Sequence, residues 1–245
     1  MSSDSQSRVG AVGATAALRI DSLRFGWTPG TCLLNIPELV LNRNESLLLS
    51  GSSGSGKSTL LNLIGGVLTP DRGQISICGS DTAALGARQR DRFRSEHLGI
   101  IFQQFNLLPY LSVIDNVLLP LRFAPERRGN SGTTAAERRS RAQELLAALG
   151  LEHAAWSAPA YRLSVGQQQR TAAARALIGA PPLILADEPT SALDPDNRDR
   201  FIELLLAQAA TAGSSVLLVS HDPSLIAQFD RSLALEQLNN TAAAT

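Results

Sequence analysis

The eight residues Gly51–Ser58, GSSGSGKS, carry the clearest chemistry in this sequence. They match the spacing G-x-x-x-x-G-K-[ST], which folds a loop round phosphate groups. Gly51, Gly54 and Gly56 let the backbone come close to an anion and point its N–H groups inward. A helix that starts at the end of the loop adds the partial positive charge of its N-terminus. Lys57 has the reach to meet the β and γ phosphates of a nucleotide, and the Ser58 hydroxyl suits magnesium. Ser52, Ser53, Ser55 and Thr59 complete the candidate phosphate cradle.

The second stretch is LILADE, Leu183–Glu188, an apolar run that ends in two acids. A buried strand ending in paired carboxylates is costly unless a cation lies nearby. Magnesium bound to phosphate is such a cation, and the C-terminal edge of a parallel sheet is where α/β proteins bind ligands. Asp187 is therefore assigned to the magnesium shell. Glu188 is assigned to orient or deprotonate an attacking water.

These residues need elements to hold them. ESLLLS, Glu45–Ser50, reads as a buried strand leading into the glycine loop, and Leu60, Leu61 and Ile64 give helical spacing after it. ALRIDSLRFGW, QISICG, LGIIF, LILA and SVLLVS read as further strands, with a turn at Pro70–Gly73. Between Leu111 and about Leu149 the pattern is helical. Ser112 is placed to cap one helix, and Ala142, Leu145, Leu146 and Leu149 form a stripe that Gly150 ends. Inside that block, PERRGNSGTTAAERR reads as a polar exposed loop. Strands alternating with helices, broken by one helical block, predict an α/β sheet with a helical insertion.

Composition sets limits. The chain has 245 residues, enough for one large domain with a real core. Its formal net charge is zero, which counts against a nucleic-acid partner. Cys32 and Cys78 lack CxxC spacing and read as small core residues in a reducing compartment. No apolar run approaches the ~18 residues that cross a bilayer. Residues 1–16, rich in Ser, Gly and Ala, read as a loose tail rather than a signal peptide, with a single domain over 17–240.

The glycine loop, ADEPTSALD and LSVGQQQR occur in the order and spacing of the ATP-binding cassette (ABC) family, and the resemblance covers about residues 17–235. It implies a P-loop NTPase (RecA-like) α/β core with an antiparallel β edge and a helical subdomain over about residues 104–165. It implies an ATPase that uses ATP and Mg2+, with Lys57, Gln103, Glu188 and His221 as its catalytic group. Gln103 would share magnesium with Ser58 and Asp187, and His221 would contact the γ-phosphate. In the family, the signature segment binds ATP held by a partner subunit. Ser164, Gly166 and Gln167 would do so here, with Asp194 of SALD at the dimer interface. Adenine usually stacks on an upstream aromatic: Trp27 is preferred, with Phe25 as the rival.

The signature has Val165 where the family usually has glycine. Ser164 and Gln167 have capping-box spacing, which makes Ser164 an N-cap and Val165 the first helical residue. Valine adopts that conformation at a small propensity cost. The groups expected at phosphate are the Ser164 hydroxyl and the first-turn N–H groups, not the side chain at 165. The valine is read as tolerated, with a weakened half-site as the alternative.

IFQQFNLLPYLSVIDNVLLPL, Ile101–Leu121, resembles the ATPases that serve lipoprotein-releasing and macrolide-export permeases. The expected partners are an integral-membrane permease and a second copy of the chain in the ATP-bound state. The location implied is the cytoplasmic face of the inner membrane, through the permease and without direct insertion. Phe105, Leu107, Leu108, Pro109 and Tyr110 offer the permease an apolar surface, or else fill the helical subdomain's core. Two other classes stay open. One is a regulatory module with weak hydrolysis, supported only by Val165. The other is an ABC-type ATPase acting on nucleic acid or ribosomes, whose usual coiled-coil insertions, second cassette or basic arm are missing here.

Overall fold

The computed structural model describes residues 16–191 and 193–240. The chain runs β1 (Ala16–Phe25), β2 (Leu34–Asn42), β3 (Ser46–Ser50), α1 (Lys57–Ile64), β4 (Arg72–Ile77), β5 (Ser80–Asp81), α2 (Ala87–His97) and β6 (Leu98–Ile101). It continues through α3 (Val113–Leu118), α4 (Pro125–Asn130), α5 (Ala135–Ala148), α6 (Val165–Leu177) and β7 (Leu183–Asp187). It closes with α7 (Pro195–Ala212), β8 (Ser215–Ser220), β9 (Arg231–Ala234) and α8 (Leu235–Leu238).

The strands form two sheets. One is antiparallel, in the order β2-β1-β4-β5, and the other is parallel, in the order β6-β7-β8-β3-β9. This is the expected α/β core with an antiparallel edge. The parallel strands are short apolar runs because both of their faces are covered: Leu47, Leu48, Leu49, Leu183, Ile184 and Leu185 are all buried. Register then sets the chemistry. Ser50 pairs with Ser220, Asp187 with Val219, and Ile101 with Ala186. The residues that follow these strands therefore emerge side by side along one sheet edge.

The helical block has the predicted stripe. Ala142, Leu145, Leu146 and Leu149 are all buried, and Gly150 turns the chain with a φ of 74°. Ser112 caps α3, its side chain accepting from the Asp115 N–H.

Several expectations are corrected. PERRGNSGTTAAERR is not an exposed loop: it holds α4 and the start of α5. Pro125 sits in the first turn of α4, where its missing N–H costs nothing. Thr134 and Glu137 form a capping box that starts α5. Arg127, read as solvent-exposed, is only 3% exposed, and burial lowers its pKa to about 10. Strands β2 and β9 and helix α2 were not anticipated. β2 contains Pro37 but lies at a sheet edge, where a missing donor is tolerated. α2, ARQRDRFRSEH, is charged almost throughout and has no apolar stripe to reveal it. Residues 1–15 of the expected tail lie outside the described residues. Ala16, placed in that tail, instead opens β1 and pairs with Asn42. Phe105 is buried in the core, so it adds nothing to an exposed apolar surface, whereas Leu108 and Tyr110 are exposed. The two cysteines are free and half-buried.

Candidate functional site

The loop after β3 wraps as its glycines allow. Gly54 and Gly56 have φ of 81° and 102°, the left-handed region that favours glycine. A Cβ on Gly56 would lie 2.9 Å from Leu34 Cδ2, so a larger residue there would have to displace that buried side chain and adopt a strained φ. Lys57 is buried at the start of α1. Its Nζ donates to the carbonyls of Gly51 and Ser52, both at 2.8 Å, and lies 3.6 Å from Glu188 Oε1.

The end of β7 sets its acids beside this loop. Ser58 Oγ donates to Asp187 Oδ1 at 3.1 Å. Burial pushes the Asp187 carboxyl up from its ordinary value, with the Ser58 hydrogen bond opposing the shift. A nearby cation would offset that cost of burying the charge. Glu188 has a φ of 42°, unusual for a residue with a side chain, and its N–H donates to Val219 O at 3.0 Å. That turn aims its carboxylate between Lys57 and His221, whose Nδ1 lies 3.0 Å from Glu188 Oε2.

A cleft of about 480 Å3 gathers Trp27, Leu33, Ser53, Gly54, Gly56, Lys57, Ser58, Thr59, Gln103 and Glu188. Residues predicted from four separate stretches thus meet at one place. Trp27 is 64% exposed at the cleft, whereas Phe25 is buried and meets Trp27 edge-on with ring centroids 5.3 Å apart. Of the two aromatics, only Trp27 has a face open to a ligand. His221 lies just outside this cleft, in a smaller depression with Glu188, Ser191 and Asp222.

Ser164, Gly166, Gln167 and Asp194 are not brought to the glycine loop. They line a separate groove of about 450 Å3 at the start of α6 and α7. Ser164 caps α6 as predicted: its hydroxyl accepts from Gln167 N at 3.3 Å, and Gln167 Oε1 accepts from Ser164 N at 3.0 Å. Val165 is 46% exposed in the first helical turn. Asp194 caps α7, accepting from Asn197 N at 3.1 Å. Ala192, in the centre of SALD, lies outside the described residues. The chain therefore presents two separate surfaces: a cleft formed by the glycine loop with Gln103 and Glu188, and a groove at the capped start of α6.

Gly51, Ser52 and Ser55 belong to the loop but do not line the cleft, and the Ser55 hydroxyl is buried with no partner among the described residues. Two residues were missed by sequence reasoning. Asp222 is held by an ion pair with Arg198 beside His221; its position next to the histidine was the available signal. Glu236 accepts from the N–H and hydroxyl of Ser52, and no feature of ALEQL pointed to the loop 184 residues earlier.

A family model described as ABC transporter matches residues 34–191, and an AAA domain model matches residues 157–227. Among curated proteins, the chain is 37% identical over 223 residues to the "Lipoprotein-releasing system ATP-binding protein LolD" of Paramagnetospirillum magneticum, covering 90% of this chain and 95% of that protein. It is 41% identical over 199 residues to the "Macrolide export ATP-binding/permease protein MacB 2" of Aeromonas hydrophila, covering 81% of this chain but 29% of that longer protein. Among solved structures, "Dimeric Structure of MJ0796, a Bacterial ABC Transporter Cassette" superposes with a TM-score of 0.79 at 35% identity, covering 89% of this chain and 93% of the other. A post-hydrolysis dimer of the same cassette, bound to ADP and Pi, gives 0.78 at 34% identity, covering 91% and 95%.

Proposed function

This chain belongs to the ABC transporter family and is an ATP-binding, ATP-hydrolysing subunit of it; on that premise we propose that two copies close round two ATP molecules and drive a separate membrane permease. The observation that carries this reading is the division into two half-sites. The cleft at Lys57 and the groove at Ser164 share no lining residue, so within one chain the two sets of groups line different surfaces. A second copy, turned by a two-fold axis, supplies each cleft with the missing half.

The residues take the following roles. Gly54, Gly56, Lys57, Ser58 and Thr59 cradle the phosphates, and Trp27 stacks on the base. Ser58 and Asp187, with Gln103 nearby in the cleft, would hold magnesium, which would neutralise phosphate charge. Among the described residues no three His, Cys, Asp or Glu side chains cluster for a metal. Magnesium needs no such cage, because it is held by one or two protein oxygens with phosphate and water completing its shell. Glu188 orients and deprotonates the water, and His221, which contacts the Glu188 carboxylate, would reach the γ-phosphate. Ser164, Gly166 and Gln167 of the partner copy close over the γ-phosphate through a helix N-terminus, with Asp194 at the seam.

The cassette spans residues 16–240, with a helical subdomain over about residues 104–165. The relatives' names point to a permease of the lipoprotein-releasing or macrolide-export type. Phe102, Leu108 and Tyr110, exposed after β6, supply apolar surface for it. No helix among the described residues is long and apolar enough to cross a membrane, so the chain would reach the inner membrane's cytoplasmic face through that permease. Lys57→Ala tests the core of the reading: steady ATPase activity should vanish, and full retention would overturn it.

A further inference from the structure

The last described helix touches the phosphate loop from behind. Glu236 Oε1 accepts from Ser52 N at 2.8 Å and from Ser52 Oγ at 2.9 Å. On the other side of the same residue, the Ser52 carbonyl accepts from Lys57 Nζ at 2.8 Å. Ser52 is thus held at three points, two by Glu236 and one by the cleft's own lysine. Position 51 is glycine partly for this reason. A Cβ there would lie 2.8 Å from Ser55 Oγ and 3.3 Å from both Glu236 carboxylate oxygens.

The same segment grips the opposite wall of the cleft. Asn239 Nδ2 donates to Leu33 O at 2.8 Å, and Asn239 Oδ1 accepts from Asn35 N at 2.7 Å. Asn240 exchanges two hydrogen bonds of 2.9 Å with Asn35. Leu33 lines the cleft, and Leu34 fills the space that a side chain at Gly56 would need. Leu235, fully buried, anchors the segment just before these contacts. One short stretch therefore ties the back of the loop, at Ser52 beneath Lys57, to the cleft wall at Leu33.

We propose that Glu236 is a positioning residue of the nucleotide site, the active end of a strap over residues 236–240 that holds the phosphate loop in its binding shape. The strap rests on the reading of the Lys57 cleft as the ATP site. A loop already fixed loses less freedom when a nucleotide arrives, so the strap raises affinity without touching the reacting atoms. Ser52 is also the residue on which Lys57 rests, so the bond at Glu236 fixes the starting place of the lysine. The carboxylate charge lies near Lys57, which helps to hold it ionised below its usual range after the larger effect of the Ser52 bonds.

The test is calorimetric titration of Mg-ADP into the full chain, with KM and kcat for ATP measured beside it. Glu236→Ala should weaken ADP binding and raise the ATP KM by about tenfold, the order expected when charge-assisted hydrogen bonds to a binding loop are lost. Its kcat should stay within about twofold, since Lys57 and Glu188 are intact. Glu236→Gln keeps an oxygen that accepts both Ser52 hydrogens and should restore most of the affinity. Asn239→Ala, which frees the opposite wall, should shift KM in the same direction. Wild-type affinity in Glu236→Ala with only a lower melting temperature would overturn the proposal. So would equal weakening in the Ala and Gln variants, which would assign the effect to charge rather than to the bond. If the unaltered chain bound no Mg-ADP, the reading of the cleft itself would fall, and the strap with it.

Discussion

His221 Nδ1 lies 3.0 Å from Glu188 Oε2, although 33 residues separate them in the chain. The parallel pairing of β7 with β8 brings the two residues together. Asp187 is in register with Val219, so the next residue on β7 and the second beyond Val219 leave the same sheet edge together. The left-handed turn at Glu188 then points its carboxylate at the ring.

Glu188→Gln removes the proton acceptor and keeps the side chain's shape. Steady hydrolysis should fall by at least about a hundredfold, the usual contribution of a general base. Unable to reset, the chain should accumulate as a dimer with Mg-ATP and remain a monomer with Mg-ADP, read by light-scattering mass. A monomer under both conditions would sink the shared-site reading.

Val165→Gly should leave both ATPase activity and the ATP-dependent dimer unchanged. The valine side chain points to solvent in the first turn of α6, and the cap that organises that turn is made by Ser164 and Gln167. Ser164→Ala is the contrasting variant. It should destabilise the chain by about 1 kcal/mol through the lost cap and weaken the ATP dimer as well. A gain of activity in Val165→Gly would mean that the valine does handicap the site.

The two aromatics near the cleft should separate cleanly. Trp27→Ala changes an exposed ring, so stability should move by no more than about 0.5 kcal/mol while the ATP KM rises about tenfold, the scale of one lost base-stacking contact. Phe25→Ala empties a buried site and should cost about 3–5 kcal/mol, with KM unchanged in the folded fraction. Thermal melts and ATPase titrations on the two variants check this, and the opposite pattern would make Phe25 the base platform.

The cleft residues of the proposed nucleotide site were legible as a group because their types and spacing are those that bound phosphate and metal would require. Glycines, lysine and serine spaced as in GSSGSGKS suit a bound phosphate, and acids ending an apolar run suit a bound cation. The capping box at Ser164 was equally local, three residues from donor to acceptor. What stayed hidden depended on distant partners. Glu236 is an ordinary exposed acid until β9 and α8 carry it to Ser52. α2 has no apolar stripe, and its place is set by Glu96 and by contacts to α4 rather than by its own periodicity. Phe105 had the composition of a docking residue, and only the packing of the helical block decided for the core.

Arg127 is the clearest case of a charge whose role the sequence disguised. Its Nε donates to Ile178 O at 3.0 Å, its Nη1 to Leu98 O at 3.0 Å, and its Nη2 to Ala176 O at 2.9 Å and Ile178 O at 2.6 Å. One planar guanidinium thus joins α4 to the start of β6 and the end of α6, the junction between the helical block and the parallel sheet. Lysine lacks that fork, so Arg127→Lys should not rescue what Arg127→Ala loses. Leaving these buried carbonyls short of donors should cost about 3 kcal/mol in either variant, lowering the melting temperature by roughly 6–12 °C for a chain of this size. Burial lowers the folded pKa to about 10, well below the ordinary guanidinium value. The folded chain therefore binds this proton less tightly than the unfolded chain. The penalty for burying the charge is present in full below about pH 10 and is relieved only above it. The stability gap between wild type and Arg127→Ala should accordingly stay constant from about pH 6 to pH 9, measured by denaturant titration at each pH. A gap that closed across that interval would mean that another titrating group, not the hydrogen bonds of Arg127, holds the junction.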